Sequence, residues 1–331
     1  MNEMTGRREL WFTAPRAVEI RNGAEPRPLG PRELRARALA SGVSQGTELL
    51  LYRGEGPTPF DPSLDAPGTP TYPRRYGYAW VGEVVEGDAP DIARSSRIFA
   101  LAPHGDEHVF DADAVRPLPA SIPADRATLA ANLETAITVV WDGALGLGDR
   151  VAIVGGGEVG LLCGWLARRA GAGRILLVEP SARRRRAALA LGVDEAITPD
   201  DDAPEGDHDV VIEATGNPAV LDRAIAHAAQ EGTVVVASFY GERRSPVSLG
   251  AAFHRRRLTL RSSQVSAIPP ARAPRWTHAR RFALVRELLE HAELDALLDP
   301  PIPFGQAPAT YARLAADPGA SAHTVFSYED G

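Results

Sequence analysis

At 331 residues the chain is long enough for about two domains, each with its own core. A net charge of −7 argues against nucleic acid as the main partner, and the arginine clusters at 183–186 and 255–257 lie beside acidic segments. The sequence holds no lysine, which excludes a Schiff-base nucleophile and attachment of pyridoxal phosphate.

Residues 1 to about 120 read as mostly β. The runs 10–13, 17–21, 33–39, 78–85 and 97–101 alternate or are short apolar stretches between Pro and Gly turns. Residues 53–75, rich in Pro, Gly and Asp, read as a long surface loop of a length that often carries function. Arg74 and Arg75 on it are candidates to shape a pocket for a polar or anionic substrate. From Ala124 the pattern turns helical, with Asp125 as a candidate N-cap and apolar residues at helical spacing over 126–141. Strands are then expected at 151–154, 174–178, 209–214, 232–237 and 258–263, with helices over 161–170 and 219–230. This alternation predicts the α/β class, a doubly wound parallel sheet covered by helices. Beyond Pro269-Pro270 helices are expected over 275–291 and near 309–316, followed by a last strand at 324–327.

The only cysteine, Cys163, falls in the apolar pattern of a helix, so neither an internal disulfide nor a multi-cysteine zinc site is expected. No signal-peptide core and no run of 18 apolar residues stands out, so the expectation is a cytoplasmic protein that does not bind membranes.

The stretch Val151-Ala-Ile-Val-Gly-Gly-Gly-Glu-Val-Gly160 carries the clearest chemistry. Its glycines sit between a strand and a helix. Gly155 allows a tight turn, Gly157 lets the backbone approach a pyrophosphate, and Gly160 lets helix and strand pack closely. Glu158 and Val159 complete the loop and open a helix whose N-terminus offers free N–H groups to phosphates. Glu179, about 20 residues on at the end of the next strand, is placed to accept ribose hydroxyls. A carboxylate there disfavours a 2′-phosphate, so NAD is the expected cofactor, with NADP left open by Arg183–Arg186.

A β-rich first third, this central dinucleotide unit and a returning C-terminal piece together resemble the medium-chain dehydrogenase/reductase superfamily over nearly the whole chain. The resemblance implies a GroES-like catalytic domain from residues 1–130 and 265–331, a Rossmann domain from 131–264, and an active site in the cleft between them. It also places Thr215, in Glu-Ala-Thr-Gly216, and Arg184 among the cofactor contacts. The superfamily's zinc-binding motifs are altered. Gly77-Tyr78-Ala79 stands in place of Gly-His-Glu, and Gly42-Val-Ser-Gln-Gly-Thr-Glu48 puts Ser44 or Gln45 in place of a cysteine. Glu134 matches the third, acidic ligand. Such a set suits zinc poorly, so no metal is expected. These motifs, with Ala102-Pro-His104 and Arg261-Ser-Ser-Gln-Val265, look most like the bacteriochlorophyllide dehydrogenase branch and its relatives.

Without a Lewis acid, an oxyanion needs hydrogen-bond donors. Tyr78 is the first candidate, Thr47 or Ser44 a proton relay, Glu134 beside Tyr78 an acid/base or orienting group, and His104 a general acid. Tyr78 as an ordinary strand aromatic and Glu134 paired with an arginine are the structural alternatives; His108, His254, His278 and His323 show no constellation. The reading is a zinc-independent oxidoreductase moving hydride between NAD(H) and an alcohol/carbonyl small molecule, expected as a homo-oligomer. An NADPH-dependent enoyl or quinone reductase and a non-catalytic dinucleotide sensor are the alternatives.

Overall fold

The computed structural model describes residues 7–24, 27–57, 59–60, 71–87, 89–90, 92–201 and 204–328. In the first third, short alternating strands pair antiparallel. β1 (Arg8–Ala14) and β2 (Ala17–Asn22) form a hairpin. They are followed by β3 (Glu33–Val43), α1 (Thr47–Arg53), β4 (Trp80–Glu86), β5 (Arg97–Ala100), β6 (Glu107–Asp111) and β7 (Val115–Leu118). The long strand β3 organises this half. Its start pairs with β6, its middle with β4, and its end, residues 40–43, with a strand from the far end of the chain.

Two helices, α2 (Ala124–Ala127) and α3 (Ala130–Asp142), lead into an alternating unit. It comprises β8 (Arg150–Val154), α4 (Glu158–Arg169), β9 (Arg174–Val178), α5 (Ala182–Ala190), β10 (Glu195–Ile197), β11 (His208–Glu213), α6 (Leu221–His227), β12 (Ala228–Val236) and β13 (Thr259–Ser262). These strands form a parallel sheet in the order β10-β9-β8-β11-β12-β13. The direction of strand progression reverses between β8 and β11, the crevice where such sheets bind ligands. After α7 (His278–Leu289) come β14 (Ile302–Pro303), α8 (Ala307–Ala316) and β15 (Thr324–Ser327), the last pairing with β3 to complete the antiparallel sheet.

The parallel strands are apolar on both faces because helices cover both. Val151, Ile153, Ile175, Leu177 and Ile212 pack toward α3, α4 and α7, whereas Ala152, Val154, Val211 and Val234 pack with Leu221 and Ile225 of α6. Burying each large aliphatic side chain contributes about 1.5–3 kcal/mol. Among the described residues no helix is long and apolar enough to cross a membrane.

Three sequence expectations shift. The helix expected over 126–141 is broken into α2 and α3 at Thr128, whose hydroxyl is held by His323 at 2.7 Å; Pro123, not Asp125, occupies the N-cap of α2. The helix expected to run to Gln230 stops at His227, because Ala228 already pairs with β11 and ladder bonds outweigh helical propensity. α7 starts three residues late, at His278, behind Thr277, whose hydroxyl accepts from the Arg280 N–H. Part of the loop expected over 53–75 lies outside the described residues.

His108 on β6 sits edge-on to Trp80 at 5.2 Å and donates from Nε2 to the Pro103 carbonyl. Burial holds its pKa down at about 4. The unfolded chain therefore binds the extra proton first, so this stabilising contribution is full above about pH 6.5 and is lost as pH falls toward 4. His208 and His227, also lowered by burial, act in the same direction. Unfolding free energy measured by urea titration is expected to fall across this window. His108→Gln should remove up to about 1.4 kcal/mol per pH unit of that slope; an unchanged slope would refute the assignment.

Candidate active site

The glycine loop is shaped by close contacts. Gly155 has φ +101, and a Cβ there would approach the Ala214–Thr215 backbone at 2.8 Å. A Cβ on Gly160 would fall 1.9 Å from the Gly155 carbonyl oxygen, so α4 lies against β8 as only glycine permits. A Cβ on Gly157, by contrast, would meet nothing within 4 Å, which leaves room for a ligand over the loop. Gly157 caps α4 without a side-chain hydrogen bond, so the first-turn N–H groups carry no side-chain cap. The half-buried Val159 packs on the core beneath.

Glu179 is buried, with Oε2 accepting from the Gly156 N–H at 2.6 Å and Oε1 from the Ser181 N–H at 2.8 Å. Its carboxylate is fixed at the loop, and each oxygen keeps a further lone pair. Thr215 donates through N–H and hydroxyl to Glu213 at the end of β11. Arg184 bridges to the other sheet, donating to the Ser321 and Pro318 carbonyls and to Gln45 Oε1. Its guanidinium is thus engaged by Gln45 and the loop before β15.

Beside the antiparallel sheet stand Ser44, after β3, Thr47, opening α1, and Tyr78, before β4. The Tyr78 hydroxyl donates to Ser44 Oγ. Burial pushes the phenol well above its ordinary range; the Ser44 hydrogen bond pulls it down, and the charges of Glu158 and Glu48 push it up. Thr47 adds a weaker hydrogen bond in the lowering direction. Ser44 and Tyr78 therefore meet, whereas Gln45 turns away to Arg184 and Ser321.

Ser44 is pinned by Glu48, a residue not singled out from the sequence. Glu48 is 0% exposed; Oε1 accepts from the Ser44 N–H at 2.9 Å, and Oε2 accepts from Tyr311 and faces His104 Nε2 at 3.0 Å. A carboxylate only accepts, so Nε2 carries the ring proton, and Nδ1 at 2.6 Å accepts from Ser41 Oγ in the neutral imidazole. Tyr328 lies 2.7 Å from the same Ser41 hydroxyl.

Two expected roles change. His104 is 1% exposed with both ring nitrogens engaged, so it braces Glu48 instead of reaching a substrate. Glu134 is not partnered with the Tyr78 hydroxyl; its Oε1 accepts from Arg281 Nε at 3.0 Å, and Arg281 also holds Thr138 and the Val265 carbonyl. His323, to which the sequence attached no role, proves central. Its Nδ1 meets Glu158 Oε2 at 2.8 Å, linking the residue before β15 to the start of α4. No spacing motif marks these partners; only the return of the C-terminus to β3 assembles them.

A parallel sheet with a glycine-rich switch point, joined to an antiparallel sheet beside which Ser44, Thr47 and Tyr78 lie, is a two-part architecture of a Rossmann unit and a β-rich unit. Residues 159–281 match the family model described as zinc-binding dehydrogenase. The chain is 32% identical over 228 residues to 2-desacetyl-2-hydroxyethyl bacteriochlorophyllide A dehydrogenase of Cereibacter sphaeroides, covering 64% of this chain and 68% of that protein. It is 26% identical over 332 residues to D-guloside 3-dehydrogenase of Escherichia coli K12, covering 92% and 95% respectively. The solved structure of 2R,3R-butanediol dehydrogenase from Bacillus subtilis superposes with a TM-score of 0.80 at 20% identity, covering 98% of this chain and all of that one. The chain belongs to the medium-chain dehydrogenase/reductase superfamily.

Zinc is implied by the matching family model, but the donors here fit it poorly. Tyr78 and Ser44 present hydroxyls bonded to each other, Gln45 an amide engaged by Arg184, and Glu134 a carboxylate held by Arg281. The glycine loop, in contrast, fits a dinucleotide.

Gly160→Ala tests that loop. The Cβ would force α4 off β8, so dinucleotide affinity measured by NADH fluorescence titration is expected to fall about tenfold or more, with a loss of about 1–3 kcal/mol of stability. Wild-type affinity in this variant would show that the close contact does not matter.

Proposed function

We propose that the chain is a zinc-independent, NAD(H)-preferring oxidoreductase that interconverts an alcohol and its carbonyl. One observation carries this reading: the Tyr78 phenol, bonded to Ser44 and influenced by Thr47, stands within the field of Glu158, the first residue of α4. When bound, the nicotinamide supplies the hydride chemistry. The chain supplies position and a proton. Because burial raises its pKa, Tyr78 stays a phenol at neutral pH and serves as a donor to a substrate oxygen that becomes an alkoxide. Once Tyr78 Oη gives its proton to the alkoxide, the Ser44 and Thr47 hydroxyls hydrogen-bond the resulting phenolate until it recovers a proton from solvent. His104 and Glu48 hold Ser44 in register without touching the substrate.

The relatives named D-guloside 3-dehydrogenase and 2-desacetyl-2-hydroxyethyl bacteriochlorophyllide A dehydrogenase support the dehydrogenase reading. The Tyr78, Ser44 and Glu134 set supports zinc independence. Residues 1–130 and 265–331 are assigned to the catalytic unit and 131–264 to the dinucleotide unit, in keeping with the place of β15 beside β3. The exposed edge strand β13 supports a homo-oligomer.

Tyr78→Phe is expected to lower kcat for carbonyl reduction about 10²-fold or more while NADH affinity stays within about twofold. Turnover of activated double bonds with NADPH, unaffected by this substitution, would instead establish an enoyl or quinone reductase. NADH should bind at least about tenfold tighter than NADPH, since Glu179 opposes a 2′-phosphate; the reverse order would overturn the cofactor assignment. Stoichiometric zinc in the purified protein would overturn the metal-free reading.

A further inference from the structure

Glu158 is unusual for the first residue of a phosphate-binding helix. It is 9% exposed; Oε2 is held by His323, while Oε1 is buried and finds no hydrogen-bond donor among the described residues. Leaving a buried carboxylate oxygen without a donor is costly, so the site is built incomplete on the protein side. A pyrophosphate has no donor to offer. A ligand hydroxyl does.

The order of groups along the cofactor decides which hydroxyl. A pyrophosphate would sit at the N-terminus of α4, above the open face of Gly157. The reacting ring must reach Tyr78. What lies between phosphate and ring in a dinucleotide is the second ribose. Glu158 opens α4 and its charge acts on the Tyr78 phenol, which matches that intermediate position. The His323 bridge, braced in turn by Thr128 at 2.7 Å, fixes the carboxylate so that the unpartnered oxygen keeps its place.

We propose that Glu158 Oε1 accepts a hydrogen bond from a hydroxyl of the nicotinamide-side ribose. The inference rests on the dinucleotide reading above and deepens it. Glu158 thereby positions the ribose, and with it the ring, against Tyr78.

The test compares binding of ADP, which lacks the second ribose, with ADP-ribose and NADH, which carry it, by calorimetry. For the wild type ADP-ribose should bind tighter than ADP. In Glu158→Ala and Glu158→Leu the ratio of the ADP to the ADP-ribose dissociation constant should fall about tenfold or more, and NADH should follow ADP-ribose. Glu158→Gln, which keeps the shape and a carbonyl acceptor, should retain most of the ratio and shows that the helix start is intact. An unmoved ratio in both truncations, with wild-type binding present, overturns the role of Glu158 alone. Failure of the wild type to bind any of the three overturns the dinucleotide reading and this inference together.

Discussion

The contact between Gly160 and the Gly155 carbonyl is the constraint on which the site depends. With no side chain at either position, α4 lies directly on the end of β8, and a Cβ at Gly160 would stand 1.9 Å from that oxygen. This closeness aims the uncapped first turn at the crevice between β8 and β11. It also sets the first helical side chain, Glu158, where His323 can reach it. A looser helix would keep the fold but lose the alignment of phosphate site, carboxylate and phenol.

The opposite wall rests on a different kind of constraint, a buried charge. Glu48 has no exposure and stays in place through the Ser44 N–H, Tyr311 and His104, which is itself backed by Ser41 and Tyr328. Leaving such a buried polar group without one of its partners typically costs about 1–3 kcal/mol, so the network is rigid as a unit. Rigidity here serves Ser44, and through Ser44 the phenol of Tyr78. Tyr78 and Ser44 form a hydroxyl pair, and Glu134 an ion pair with Arg281.

The two walls meet because the chain returns. β15 pairs with residues 40–43 of β3, and the residue just before it, His323, packs over Gly42, where a Cβ would come within 2.7 Å of the imidazole. Arg184 adds a second tie, from α5 to Gln45 and the Ser321 carbonyl. The dinucleotide helix and the hydroxyl-lined wall are thereby joined by side chains remote in sequence.

What could be read from the sequence was whatever local pattern dictates. The apolar runs with glycines at 155, 157 and 160 specified strand, loop and helix, because backbone conformation at 155 and close approach at 160 leave glycine no substitute there. Alternating strand and helix specified the doubly wound sheet, and the altered motifs singled out Tyr78 together with Ser44 or Gln45. The tertiary structure alone decided the partners. Whether Glu134 faced a tyrosine or an arginine, whether His104 was open or enclosed, and whether His323 mattered at all depended on contacts spanning 56 to 165 residues. A side chain's type and neighbours in sequence determine what bonds it can make. Only the packing of distant elements determines which of those bonds burial leaves to be made.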